Sequence, residues 1–147
     1  MAGLLPNIDP DGLLEYSVVY TDRSLNHMSN SFQKAMNDVS SSLKKVYSAE
    51  SVVLVPGGGT YGMEAVARQF ATNADCLVIR NGWFSYRWSQ ILEMGNIPSK
   101  LTVLKASRKN SGPQEPFSPV EIDEVVSKIK SEKPKIVFAP HVETSAG

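Results

Sequence analysis

Four short apolar runs alternate with helical patterns along this chain, and the alternation limits its fold more than any other feature. The runs are residues 51–55 (SVVLV), 75–79 (DCLVI), 100–105 (KLTVLK) and 135–139 (KIVFA). The segments around them carry apolar residues three and four apart, the period of one helix face. A helix from Asn30 is marked by Phe32, Met36, Val39, Leu43 and Val46, with Asn30 and Gln33 in a capping-box relation. Helices follow over 61–72 and over 84–94, the latter with Gly95 as its C-cap. Ser118, Pro119 and Glu121 open the last one as cap, N1 proline and N3 glutamate, with Val125, Val126 and Ile129 on its apolar face. Strands alternating with helices predict an α/β fold, a mostly parallel sheet with flanking helices. Residues 107–117 are polar and proline-bearing and read as a loop. Residues 1–28 show no sustained period and read as an N-terminal arm, leaving 29–147 as the α/β portion.

Charge narrows the partners. Fifteen basic and fifteen acidic residues cancel, so electrostatics gives no case for nucleic acid or an anionic membrane surface. No apolar run approaches the ~20 residues of a membrane span. The start of the chain, MAGLLPNIDPDG, has no basic region and two prolines, unlike a signal peptide. Cys76 is the one cysteine, which excludes an internal disulfide and fits a reducing, cytoplasmic setting.

Ligands of parallel sheets sit outside the carboxyl ends of the strands. Those ends carry residues 57–60, 81–84 and 141–147 here. The first is the most informative: residues 52–67 read VVLVPGGGTYGMEAVA, a β-branched run, a three-glycine turn and a helix start. Backbone N–H groups and a helix N-terminus then converge on one spot, a device for holding phosphate. Gly57, Gly59 and Gly62 satisfy G-x-G-x-x-G, and no Gly-Lys-Ser/Thr follows, so this is not a P-loop. A tight strand-to-helix turn alone also asks for glycine. Thr60 adds a hydroxyl.

At the second end, Asn81-Gly82-Trp83-Phe84 reads either as a turn followed by core aromatics or as an aromatic plate for a flat ligand ring. Arg87 reads as a surface or interface charge and Trp88 as core. At the third, HVETSAG carries H-x-E without the P-C-x-x-C partner of the zinc deaminases, so no metal site is expected. Its His, Glu, Thr and Ser suit hydrogen bonding around a polar ligand, or a capped turn.

Taken in order, HMSNSF, PGGGTYGMEA, NGWF and HVETSAG resemble the class V aminotransferases, in particular the alanine–glyoxylate and serine–pyruvate branch. The resemblance runs from about Asn26 to Gly147. It implies part of the large domain of a fold-type I transferase, dependent on pyridoxal phosphate, that moves an amino group from a small amino acid to a 2-oxo acid. It also implies a homodimer. Gly58, Gly59 and Thr60 occupy the positions that cradle the cofactor phosphate. Phe84 matches the aromatic residue stacked on the pyridine ring, and Thr144 the hydroxyl on the phenolic oxygen. Pro56 and Ala146 depart from the pattern, where a Ser or Thr and a Thr are usual.

Family members place an aspartate for the pyridine nitrogen and the cofactor-binding lysine after the position of Gly147. No catalytic residue is therefore expected within this chain, which reads as the N-terminal portion of such an enzyme and as inactive alone. The family sheet also separates the strand matching 51–55 from the other three by three later strands, a gap of about 19 Å at ~4.8 Å per strand. Two alternatives stand beside this reading. One is an NADP-binding Rossmann domain, using the glycine fingerprint with Arg80 toward a 2′-phosphate. The other is a non-catalytic binding fragment.

Overall fold

The structure is a computed structural model that describes residues 14–15, 24–25 and 30–146. The chain divides into two units, Met1–Leu54 and Val55–Gly147. In the first, β1 (Leu14–Glu15) and β2 (Ser24–Leu25) pair antiparallel, Leu14 opposite Leu25. This short pair falls inside the stretch that shows no period in the sequence. His27 and the rest of the arm lie outside the described residues. The helix expected from Asn30 is α1 (Asn30–Tyr47), with Lys44 and Lys45 in its last turn, where cations complement the helix dipole.

Residues 51–55 are not the buried strand their composition predicts. They join no sheet among the described residues, and Val53 is 82% exposed. Strand propensity expresses how a residue fits a paired, half-buried surface. Without a neighbouring strand, a β-branched run stays an unpaired extended segment.

The second unit carries the α/β fold. Its elements run α2 (Gly59–Ala71), β3 (Asp75–Arg80), α3 (Trp83–Met94), β4 (Lys100–Lys105), β5 (Ser107–Arg108), β6 (Phe117–Ser118), α4 (Ile122–Glu132) and β7 (Ile136–Phe138). The sheet has the order β4-β3-β7, all parallel. Central β3 buries the consecutive residues Cys76, Leu77 and Val78. Such an uninterrupted run marks a strand covered on both sides, unlike the alternation of a half-solvated one. Cys76 and Val78 form the main core cluster with Ala67 and Ala71 of α2, Ala74, Leu92 of α3, Ile97 and Phe138, and Trp88 packs tilted on Phe138 at 4.6 Å between centroids. Small residues on α2 permit close approach of its backbone to this core.

Two local expectations need correction. The loop at 107–117 contains a two-residue ladder, with Ser107 opposite Ser118 and Arg108 opposite Phe117. The Arg108 guanidinium lies 4.6 Å from the Phe117 ring centroid, a cation–π contact. Ser118 is thereby drawn into β6, and α4 begins four residues later with Glu121 as its N-cap. The S-P-V-E signal marks a helix nearby but not its first turn. α4 buries no residue. It is instead tied to β4 by Glu132, which accepts from the Thr102 hydroxyl and pairs with Lys100 at 3.1 Å.

Candidate functional site

Two helices of the second unit start next to the expected site residues, and their N-termini are built differently. An α-helix begins with N–H groups that have no partner within the helix. At α3 the first three are all satisfied by side chains from far along the chain. Trp83 N–H donates to Ser145 Oγ at 2.8 Å. Phe84 N–H donates to Glu143 Oε1 at 3.1 Å, and Ser85 N–H to Glu143 Oε2 at 2.8 Å. Both hydroxyls close the network: Ser145 Oγ donates to Oε1 at 2.5 Å and Ser85 Oγ to Oε2 at 2.6 Å. Ser85 Oγ in turn accepts from the N–H groups of Asn81 and Gly82, each at 2.9 Å.

The Glu143 carboxylate is thus buried and accepts four hydrogen bonds, at the positive end of a helix. Burial pushes its pKa up. The Ser145 and Ser85 hydroxyls and the N–H groups of Ser85 and Phe84 outweigh burial and hold it at about 2. Gly82 makes the arrangement possible. A Cβ there would collide with Ser145 Oγ and lie 2.7 Å from Glu143 Cδ.

At α2 the N-cap is Gly58, and no side chain caps the helix. Residues 57–61 are all exposed. Gly57 has a φ of +120°, and a Cβ on it would meet the Tyr61 ring at 2.7 Å, so this glycine answers a demand of the turn. Gly58, Gly59 and Gly62 answer none: a Cβ on any of them would meet nothing within 4 Å. Their missing side chains leave open space in front of the helix start.

The expected site residues are partly brought together. Gly59, Thr60 and Phe84 line one cleft of about 270 Å³, with Met63, Trp83 and Arg87. Gly58 adjoins it as the α2 N-cap. Thr144 is not among the residues lining that cleft; it is exposed in the turn between Glu143 and Ser145, whose side chains hold the α3 N-terminus. Trp83 and Phe84 are 62% and 55% exposed. They are therefore not core aromatics, and only Trp88 of this helix meets that expectation.

Arg87 was missed as a cleft residue. It is half-buried, lines the cleft, and its Nη1 donates to Gln90 Oε1 at 2.6 Å. Its spacing from Trp83 (i, i+4) and Phe84 (i, i+3) carries that information, since such residues share a helix face. The role of Glu143 has no such local signal, because its partners lie 58 and 59 residues away.

Burial, with Asp75 beside it, pushes the Cys76 thiol up, so it stays protonated and inert. Among the described residues no group of three or more His, Cys, Asp or Glu is placed to hold a metal, and no helix is long and apolar enough to cross a membrane. Comparison with models of known families finds no match, and comparison with curated protein sequences finds none either.

Proposed function

We propose that this chain is the cofactor-binding part of a pyridoxal-phosphate-dependent aminotransferase of class V, acting between a small amino acid and a 2-oxo acid. The observation that carries the reading is the cleft joining Gly59 and Thr60 at the uncapped start of α2 to Phe84 and Arg87 at the start of α3. These residues fit the cofactor. Glycines 58 and 59 leave a space that a Cβ would fill, beside free-facing helix N-terminal charge of roughly half a proton. The α2 N–H groups and the Thr60 hydroxyl hold the phosphate, and the Arg87 guanidinium offsets its charge. Phe84 supplies a face for the pyridine ring, while Trp83 and Met63 keep water from that side. When bound, the cofactor supplies the electron sink for the exchange of the amino group. Glu143 and Ser145 fix the helix that carries Phe84, Trp83 and Arg87.

Sheet order favours this reading over the Rossmann alternative. A dinucleotide sheet sets the strand before the glycine turn between the second and fourth strands of the series. Here β3 is hydrogen-bonded directly to β7, Cys76 opposite Ile136, and no strand stands between them. That is the neighbour relation the family resemblance implies.

The test is pyridoxal phosphate loading of the gene product, borohydride reduction and mapping of the labelled peptide. The expected outcome is a single, specifically labelled lysine. Label scattered over surface lysines, or protection against heating by NADPH and not by pyridoxal phosphate, removes the reading.

A further inference from the structure

Asn81-Gly82 is the one Asn-Gly pair in the chain, and it carries a chemistry that the cleft at α2 does not use. In a free peptide such a pair is the most labile of asparagine sequences. The nitrogen of the following residue loses its proton and attacks the asparagine Cγ; the Cγ–Nδ2 bond breaks, and ammonia leaves with that proton. Water then opens the cyclic imide to aspartate or isoaspartate. Glycine speeds the first step because no side chain hinders the approach of its nitrogen.

The fold cannot escape this sequence by changing position 82. A Cβ there would collide with Ser145 Oγ and lie 2.7 Å from Glu143 Cδ, so the cap of α3 demands the glycine. Both reacting groups are instead restrained. Gly82 N–H donates to Ser85 Oγ at 2.9 Å, and an amide anion at that nitrogen would face the lone pairs of the same oxygen. Ser85 is fully buried and its hydroxyl donates to Glu143 Oε2 at 2.6 Å, which fixes it in place. At the other reacting group, Asn81 Oδ1 is buried without a hydrogen-bond partner. Attack at Cγ puts negative charge on that oxygen, where neither a donor nor water meets it, the inverse of an oxyanion hole.

We infer that Asn81-Gly82 is a latent deamidation site, silent while Ser85 and Glu143 close the start of α3 and released when that start opens. The modification runs one way. A carboxylate at position 81 adds a second anion beside Glu143, with which Asn81 lines a cleft of about 220 Å³. The isoaspartate form adds a methylene to the backbone between the two N–H groups that Ser85 Oγ accepts. Either product keeps the cap from closing again on the helix that carries Trp83, Phe84 and Arg87.

The test is incubation of the full chain in mildly alkaline buffer, with peptide mapping by mass for the amide-to-acid change at each asparagine. Asn110-Ser111, exposed in the stretch before β6, is the internal reference. As free sequences Asn-Gly reacts faster than Asn-Ser. In the folded protein that order is expected to reverse, and in urea to return. Ser85→Ala should raise conversion at Asn81 about tenfold, the kinetic worth of one lost hydrogen bond, with no change at Asn110. Ser145 is exposed, so Ser145→Ala keeps the fold while loosening the same cap. It should raise conversion at Asn81 about threefold, and it decides the matter if the buried Ser85 variant does not fold. Asn81→Asp, one of the product forms, should lower the urea midpoint. Conversion of Asn81 ahead of Asn110 in the folded protein overturns the inference. So do unchanged conversion of Asn81 in the folded serine variants, and an Asn81→Asp chain as stable as the native one.

Discussion

The N-termini of α2 and α3 lie in the same unit and border the same cleft, yet one is open and the other is closed. At α3 a buried carboxylate and a serine hydroxyl already satisfy the first three N–H groups, so the positive end of that helix has its anion within the chain. At α2 the glycines leave space in front of the helix and no side chain enters it. Two identical backbone devices thus differ in what completes them. One is completed by the fold itself, and the other is left open. The contrast also reassigns HVETSAG: its glutamate and second hydroxyl build the protein rather than meet a ligand.

The largest expected effect is a sign reversal between two glycine-to-alanine changes. Gly82→Ala forces a Cβ into Ser145 and Glu143 and is expected to lower unfolding free energy by about 2–3 kcal/mol. Gly59→Ala meets no atom and puts a better helix former in the first turn of α2, a gain of up to about 1 kcal/mol. The same change is expected to weaken pyridoxal phosphate binding about tenfold by filling the cradle. Urea denaturation followed by circular dichroism reads the first pair of values, and cofactor titration the last. Equal destabilisation by both changes would erase the contrast between the helices.

Next in size is the cap itself. Glu143→Ala leaves two helix N–H groups and the Ser145 hydroxyl without their acceptor and takes one of two from the Ser85 hydroxyl, and should cost about 2 kcal/mol on the same denaturation readout. Arg87→Ala belongs to the open side. It is expected to weaken pyridoxal phosphate binding about tenfold with little change in unfolding midpoint, since its side-chain partner is only the neighbouring Gln90.

How much of this was legible in sequence follows the range of the interactions. β3, α3 and β4 are written in local periodicity, and the observed bounds differ from the expected ones by at most a residue. The glycine turn and NGWF are equally local, and Gly59, Thr60 and Phe84, singled out from them, line one cleft. The run at 51–55 failed because a strand requires a neighbour, which propensity cannot supply. The start of α4 shifted because Ser118 pairs with Ser107 across a hairpin that the polar loop composition conceals. Glu143 was legible as a polar residue but not as a cap, because only the folded sheet brings β7's end to the start of α3.

The smallest effect, and the finest test of the contrast, is in acid. Glu143 has its pKa held at about 2 against an ordinary 4.5, so the folded state binds its proton later than the unfolded one. Its stabilisation is complete above about pH 4.5 and is lost as pH falls toward 2. Glu132 behaves alike, its carboxyl lowered to about 2 by the Thr102 hydroxyl and then Lys100 and Lys128. Native protein should therefore lose stability over this window through two carboxylates. Glu143→Gln removes one titrating group, so its unfolding midpoint should change less steeply with pH while Glu132 preserves the remainder. Thr102→Val trims the other contribution, and the double variant should be the flattest. A Glu143→Gln profile parallel to that of the native protein would mean that the α3 terminus carries no bound charge, and the distinction between the two helix starts would fail.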